Sequence, residues 1–128
     1  MDSLENLART YFALVDARDR RGLTGLLHPE VSVSLSSHDD FRGREIVMKD
    51  FYAKVFAWTL YEPTVTSFEP LPGGALRARG RLRWMSNGEL RDAPAAWTLE
   101  FEDGQLYRLS TEAPLLAAQL RSRRRAGA

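Results

Sequence analysis

The chain has 128 residues, 44% of them hydrophobic and 27% charged, a size and balance that suit one globular domain and give no reason to seek a second. It has no cysteine, so a disulfide framework and thiolate ligands are excluded, and no apolar run approaches the roughly 20 residues a membrane-spanning helix needs. The net charge of +1 conceals an asymmetry: Arg121, Arg123, Arg124 and Arg125 crowd the C-terminal end, and without them acidic residues outnumber basic ones.

Residues 1–118 are expected to form a single domain and residues 119–128 a basic, disordered tail. Such a tail can touch phosphates, but neither nucleic acid nor a membrane is expected as a partner. The opening Met1-Asp2-Ser3-Leu4-Glu5 lacks the basic-then-apolar pattern of a signal peptide, so the expected location is the cytoplasm.

Asp2, with Glu5 three residues on, reads as a reciprocal helix cap, and Leu4, Leu7, Ala8, Tyr11, Phe12, Leu14 and Val15 follow at helical spacing. Helix one is thus amphipathic, with Tyr11 near the centre of its apolar stripe. A second, short helix carries Leu23, Leu26 and Leu27 and should end at His28, because the residue before Pro29 is pushed out of helical geometry. Val31, Val33 and Leu35 alternate with serines as a half-buried strand. A polar loop, 36–40, leads to Gly43, which can cap a third helix that turns Val47, Met48, Phe51, Tyr52 and Val55 inward.

From Trp58 onward the pattern is β. Turn signals at Pro72-Gly73-Gly74, Asn87-Gly88 and Asp103-Gly104 separate four antiparallel strands at about 59–70, 75–86, 89–102 and 105–112. In the second of these, Arg77, Arg79, Arg81 and Arg83 share one face, expected to be the outer one and to pair with Glu100 and Glu102 of the next strand. Gly80 falls on the apolar side, where a missing side chain permits a bulge, and Pro94 places the start of its strand at an edge or a break. Three helices followed by a curved antiparallel sheet with one apolar face make an α+β layer structure.

The run Tyr11-Phe12-Ala13-Leu14-Val15-Asp16-Ala17-Arg18-Asp19, the segment Leu23 to Val33 with His28-Pro29-Glu30 inside it, and Phe41-Arg42-Gly43-Arg44-Glu45 together resemble the opening of the nuclear transport factor 2-like superfamily, which includes ketosteroid isomerases and SnoaL-type polyketide cyclases. The resemblance covers about residues 4–112. It implies a cone-shaped barrel, in which the sheet wraps over the three N-terminal helices and leaves a pocket at the open end. It also implies a twofold homodimer through the outer sheet face.

Candidate chemistry is sparse. A buried phenol needs a partner, since leaving it unpaired costs about 1–3 kcal/mol, so Tyr11 is either a core residue bonded to a backbone carbonyl or a donor to a ligand. The resemblance implies the donor, since in the isomerases a tyrosine of the pattern Tyr-x-x-Leu-Val-Asp donates to the substrate's oxyanion, and the core reading stands equally beside it. Extending the match places Leu35 and Trp97 where those enzymes hold their aspartate base and protonated aspartate, so steroid isomerisation by that route is disfavoured. His38, Asp39 and Asp40 read first as turn composition; the alternative is His38 as a general base beside Asp39. Two distant histidines give no metal-ligand spacing, and neither a phosphate loop nor a nucleophile elbow is present, so no metal or cofactor is expected.

The large rings read first as core. With Ala78, Gly80, Ala95 and Ala96 among them, they can also bound a cavity whose walls would be Val15, Leu35, Phe51, Val55, Trp84, Trp97 and Phe101. The expectation is a domain that binds a small hydrophobic or aromatic molecule. Its enzymatic version is a cofactor-independent isomerase, cyclase or dehydratase with Tyr11 as donor and His38 with Asp39 as base; its alternative is a non-catalytic binding or dimerisation module.

Overall fold

Ser3, one residue later than expected, opens the first helix: its Oγ accepts a hydrogen bond from the Asn6 amide at 3.1 Å. Helix α1 then runs over Leu4–Asp16 and buries Ala8, Tyr11 and Val15, the stripe its spacing predicts. The computed structural model describes residues 3–36, 39–86, 88–118 and 120, with residues 39 and 40 described through their backbone alone. Asp2, His38 and most of the basic tail therefore lie outside the described residues.

Helix α2, Arg20–Leu26, is capped by the Asp19 carboxylate, which accepts from the Gly22 amide at 2.9 Å. It ends two residues before His28. Leu27 is already extended because strand β1, Leu27–Leu35, begins there and pairs Leu27 with Leu106. The expected polar loop is shorter than its composition suggests: Asp39–Arg42 forms strand β2, antiparallel to β1 with Leu35 opposite Asp39 and Ser32 opposite Arg42. Ladder pairing, available on the free edge of β1, outweighs the weak strand preference of two aspartates.

Helix α3 comprises Arg44–Ile46, a wider π-helical segment Val47–Tyr52, and Ala53–Phe56. The wider turn lets the consecutive residues Phe51 and Tyr52 both point inward with Val47, Val55 and Phe56. Four strands follow: β3 over Leu60–Leu71, β4 over Ala75–Ser86, β5 over Glu89–Glu102 and β6 over Gln105–Glu112, each within a residue of expectation. The sheet order is β2-β1-β6-β5-β4-β3, antiparallel except for the parallel pair β1 and β6. The open, curved sheet covers the helices as the α+β cone, and a single hydrophobic cluster fills the space between them. Residues 114–118 are helical, and Leu116, Ala117 and Leu120 join that cluster.

Gly80 sits at a bulge. Val65 pairs with Gly80 and Ser67 with Arg79, so Thr66 is the extra residue, and its hydroxyl donates to the Arg79 carbonyl at 3.1 Å. Strand β5 is continuous through Pro94, but its ladder with β6 begins only at Ala96, which leaves Pro94 on an edge.

The arginine row does face outward, yet its partners differ from those expected. Arg81 meets Asp92 at 2.8 Å, Arg83 meets Glu62 at 3.5 Å, Arg79 meets Glu69 at 3.9 Å and Arg77 meets Glu112 at 3.1 Å. Glu100 pairs with Arg108 instead, and Glu102 lies opposite Gln105. The β4–β5 register places Glu100 opposite Ala75, beyond the end of the row. Exposed pairs of this kind contribute at most about 1 kcal/mol each and bear on the surface more than on the fold.

Candidate functional site

Three phenols converge inside the cone. Helix α1 supplies Tyr11, the π-helical part of α3 supplies Tyr52, and the start of β3, in register with Trp84, supplies Tyr61. The hydroxyls of Tyr11 and Tyr52 lie 2.6 Å apart, a hydrogen bond in which either oxygen can donate, and the two residues are 4% and 0% exposed. Around them stand rings: Phe12 packs edge-on to Tyr11 at 5.0 Å, Phe51 to Tyr52 at 4.8 Å, and Trp58 tilts toward Tyr61 at 6.3 Å.

Burial raises the pKa of all three phenols well above their ordinary value; charge on a neighbouring phenol adds to the rise, while at Tyr52 the hydrogen bond with Tyr11 works against it. At neutral pH they are therefore hydrogen-bond donors and acceptors, never bases. A hydroxyl pair holds two hydrogens and its mutual bond uses one. The second hydrogen must be directed at a further acceptor.

Of the residues singled out in the sequence, Tyr11, Val15, Leu35, Phe51, Val55, Trp84 and Trp97 all belong to one buried cluster, with Phe101 half-buried against it. Trp97 reaches the tyrosines through Phe12, whose ring it meets edge-on at 5.1 Å. Leu35 lies at the far end of β1, between Asp39 of β2 and Thr111 of β6. Asp39 opens β2, but its side chain and the whole of His38 lie outside the described residues, so the expected base has no described geometry. Among the described residues no three histidine, aspartate or glutamate side chains gather as metal ligands. No helix among them is long and apolar enough to cross a membrane.

The sequence places Tyr52 only among the core rings and gives Tyr61 no distinguishing pattern. A signal was present: Tyr11 and Tyr52 each occupy an apolar stripe, and two phenols on facing helices of one core have each other as the nearest polar group.

Several solved structures share this architecture. An NTF2-like protein from Burkholderia thailandensis superimposes with a TM-score of 0.78 at 14% identity, over 94% of this chain and 98% of its own. A protein from Jannaschia sp. named a SnoaL-like polyketide cyclase gives 0.74 at 20% identity, over 90% and 88%. One from Pseudomonas putida named a polyketide cyclase gives 0.72 at 16%, over 87% and 91%. No family model matches the sequence, and no curated protein does. The chain therefore has the nuclear transport factor 2-like fold.

Proposed function

We propose that the cone takes up a small, flat, apolar molecule bearing a carbonyl or similar acceptor, which the Tyr11–Tyr52 pair receives. The supporting observation is the arithmetic of that pair: two hydroxyl hydrogens, one bond of 2.6 Å between them, and one hydrogen left to donate among rings. A ligand acceptor removes the penalty of about 1–3 kcal/mol that an unpaired buried hydroxyl carries. Neutral phenols so placed also stabilise negative charge as it develops on a carbonyl oxygen, which suits a cofactor-independent isomerisation, cyclisation or dehydration. The polyketide cyclase names of structural relatives favour cyclisation among these. His38 with Asp39 is the proposed base, and a cytoplasmic setting belongs to the same reading.

One observation favours the non-catalytic alternative: Tyr52 is fully buried and its hydroxyl is already bonded, as a purely structural pair would be. Flavone separates the two. Its titration into the protein should quench tryptophan fluorescence saturably as it nears Trp97 and Trp84, and Tyr11→Phe should weaken binding roughly tenfold, the effect of one lost hydrogen bond. Without saturable quenching, the packing module stands. A 3-oxo-Δ5 steroid should not be turned over, because Leu35 and Trp97 can neither abstract nor donate a proton; turnover that survives His38→Ala with Asp39→Ala would show the pocket to be misplaced.

Self-association through the outer sheet face is part of the proposal. The arginine row and its acidic partners give that face both signs of charge, so a second copy can meet it without burying unpaired ions. Size-exclusion chromatography with light scattering should give twice the chain mass; a strictly monomeric mass at high concentration would refute the dimer.

A further inference from the structure

The outer face of the sheet near its β2 edge holds a trough of about 340 Å³ lined by Glu30, Ser32, Ser34, Arg42, Tyr107 and Arg108. Its origin is the alternation of β1: Val31, Val33 and Leu35 fill the core, so the small side chains of Ser32 and Ser34 face outward and form a low floor. Long side chains rise on both sides. Ser32 is in register with Arg42 of β2 and with Arg108 of β6, and because neighbouring strands lie about 4.8 Å apart the two arginines start about 10 Å apart across the floor.

A bulge supplies the third wall. Leu106 pairs with Phe101 and Arg108 with Glu100, so Tyr107 is an extra residue on β6, and it lines the trough beside Arg108. Its ring is held edge-on by His28 at 5.0 Å, and the Arg108 guanidinium stands 5.9 Å from its centroid. Arg108 contacts Glu100 at 3.5 Å through one nitrogen and is 55% exposed, which leaves most of its five donors able to turn to another anion.

Arg42 and Arg108 line the trough from the strands on either side of its hydroxyl floor, and two guanidinium groups so placed suit a planar or tetrahedral oxyanion. The Glu30 carboxylate on the rim opposes a bare anion but accepts hydrogen bonds from hydroxyl groups. An aromatic ring beside it offers a face to the C–H groups of a polyol. The geometry points to a binding site in this trough for a small hydroxylated oxyanion, a sugar phosphate or a sugar acid. The site lies on the opposite face of the sheet from the tyrosines, on β1, β2 and β6 rather than on the β3, β4 and β5 residues proposed for self-association, and its case does not depend on the function proposed for the cone.

The test is an NMR titration of the isotope-labelled full chain at constant ionic strength with glucose 6-phosphate and, separately, gluconate; glucose and sodium chloride serve as references. The amides of Ser32, Ser34, Tyr107 and Arg108 should shift saturably with one or both anions and not with the references. Saturation by the phosphate alone assigns the site to sugar phosphates, and by gluconate alone to sugar acids. Arg108→Gln should lower the affinity roughly tenfold, the loss of one charge-assisted hydrogen bond, and Arg42→Gln tests the other wall should the first variant not fold. Ser32→Val, which raises the floor while keeping a residue that strands favour, should also weaken binding. The proposal is overturned if neither anion saturates, if glucose or chloride produces the same shifts, or if folded variants bind as tightly as the parent.

Discussion

Gly80→Ala should destabilise the protein by about 3–5 kcal/mol, far more than the loss of a glycine's flexibility could offset. A Cβ at that position would stand 1.8 Å from the Thr64 carbonyl oxygen and 2.9 Å from the Val65 Cα, both backbone atoms that cannot swing aside. Relief requires β3 to move away from β4 at the bulge where Thr66 is already inserted, and that would break the ladder on both sides. Gly25 is the internal control. It lies within α2 with nothing near its missing Cβ, so Gly25→Ala should stabilise by about 0.5–1 kcal/mol through helix propensity alone. Urea unfolding of the two variants measures both effects. A loss below about 1 kcal/mol at Gly80 would mean that β3 and β4 do not approach as closely as this bulge requires.

That bulge was foreshadowed by a glycine on the apolar side of an otherwise alternating strand, and the long strands were legible for the same reason: period-two patterning bounded by strong turn signals. Register was legible too, and the partners expected for the arginine row erred by not using it. Counting outward from the Asn-Gly signal in the sequence, Ser86 meets Glu89, Arg83 meets Asp92 and Glu100 falls opposite Ala75. What alternation cannot reveal is the neighbour on the other side, so the acids of β3 that pair with Arg79 and Arg83 depend on tertiary order.

Short elements were the least readable. Strand β2 is four residues, three of them charged, that exist as a strand because β1 offers an unpaired edge, a fact absent from the local pattern. The π-helical turn of α3 is not legible for a related reason: the sequence places both Phe51 and Tyr52 inward, but an α-helical wheel sets them about 100° apart and does not say that the helix widens to bring both in. The polar centre of the core was half-read. Tyr11 stood out by its place on the stripe and by family resemblance, while its partner Tyr52 was hidden among rings assigned to packing.

Alkaline unfolding should be unusually steep for the same reason that the tyrosines matter. Tyr11, Tyr52 and Tyr61 are buried with pKa values raised above the ordinary phenol value of about 10. In the unfolded chain they ionise near that ordinary value. Above about pH 10 the unfolded state therefore holds fewer protons than the folded one, and stability falls as pH rises; below it the stabilisation is fully present. Each phenol contributes a slope of about 1.4 kcal/mol per pH unit, so three together give roughly 4 kcal/mol per unit, enough to exhaust a typical stability of about 5–15 kcal/mol within a few units. Urea titrations from about pH 9 to about pH 11 should show this fall, and Tyr52→Phe should remove close to a third of the slope while sparing the ring packing. Tyrosinate absorbance should rise together with the loss of secondary structure. If instead these phenols ionise while the fold persists, the hydroxyl pair is open to water, and the dry, donating centre on which the cone's proposed function rests does not exist.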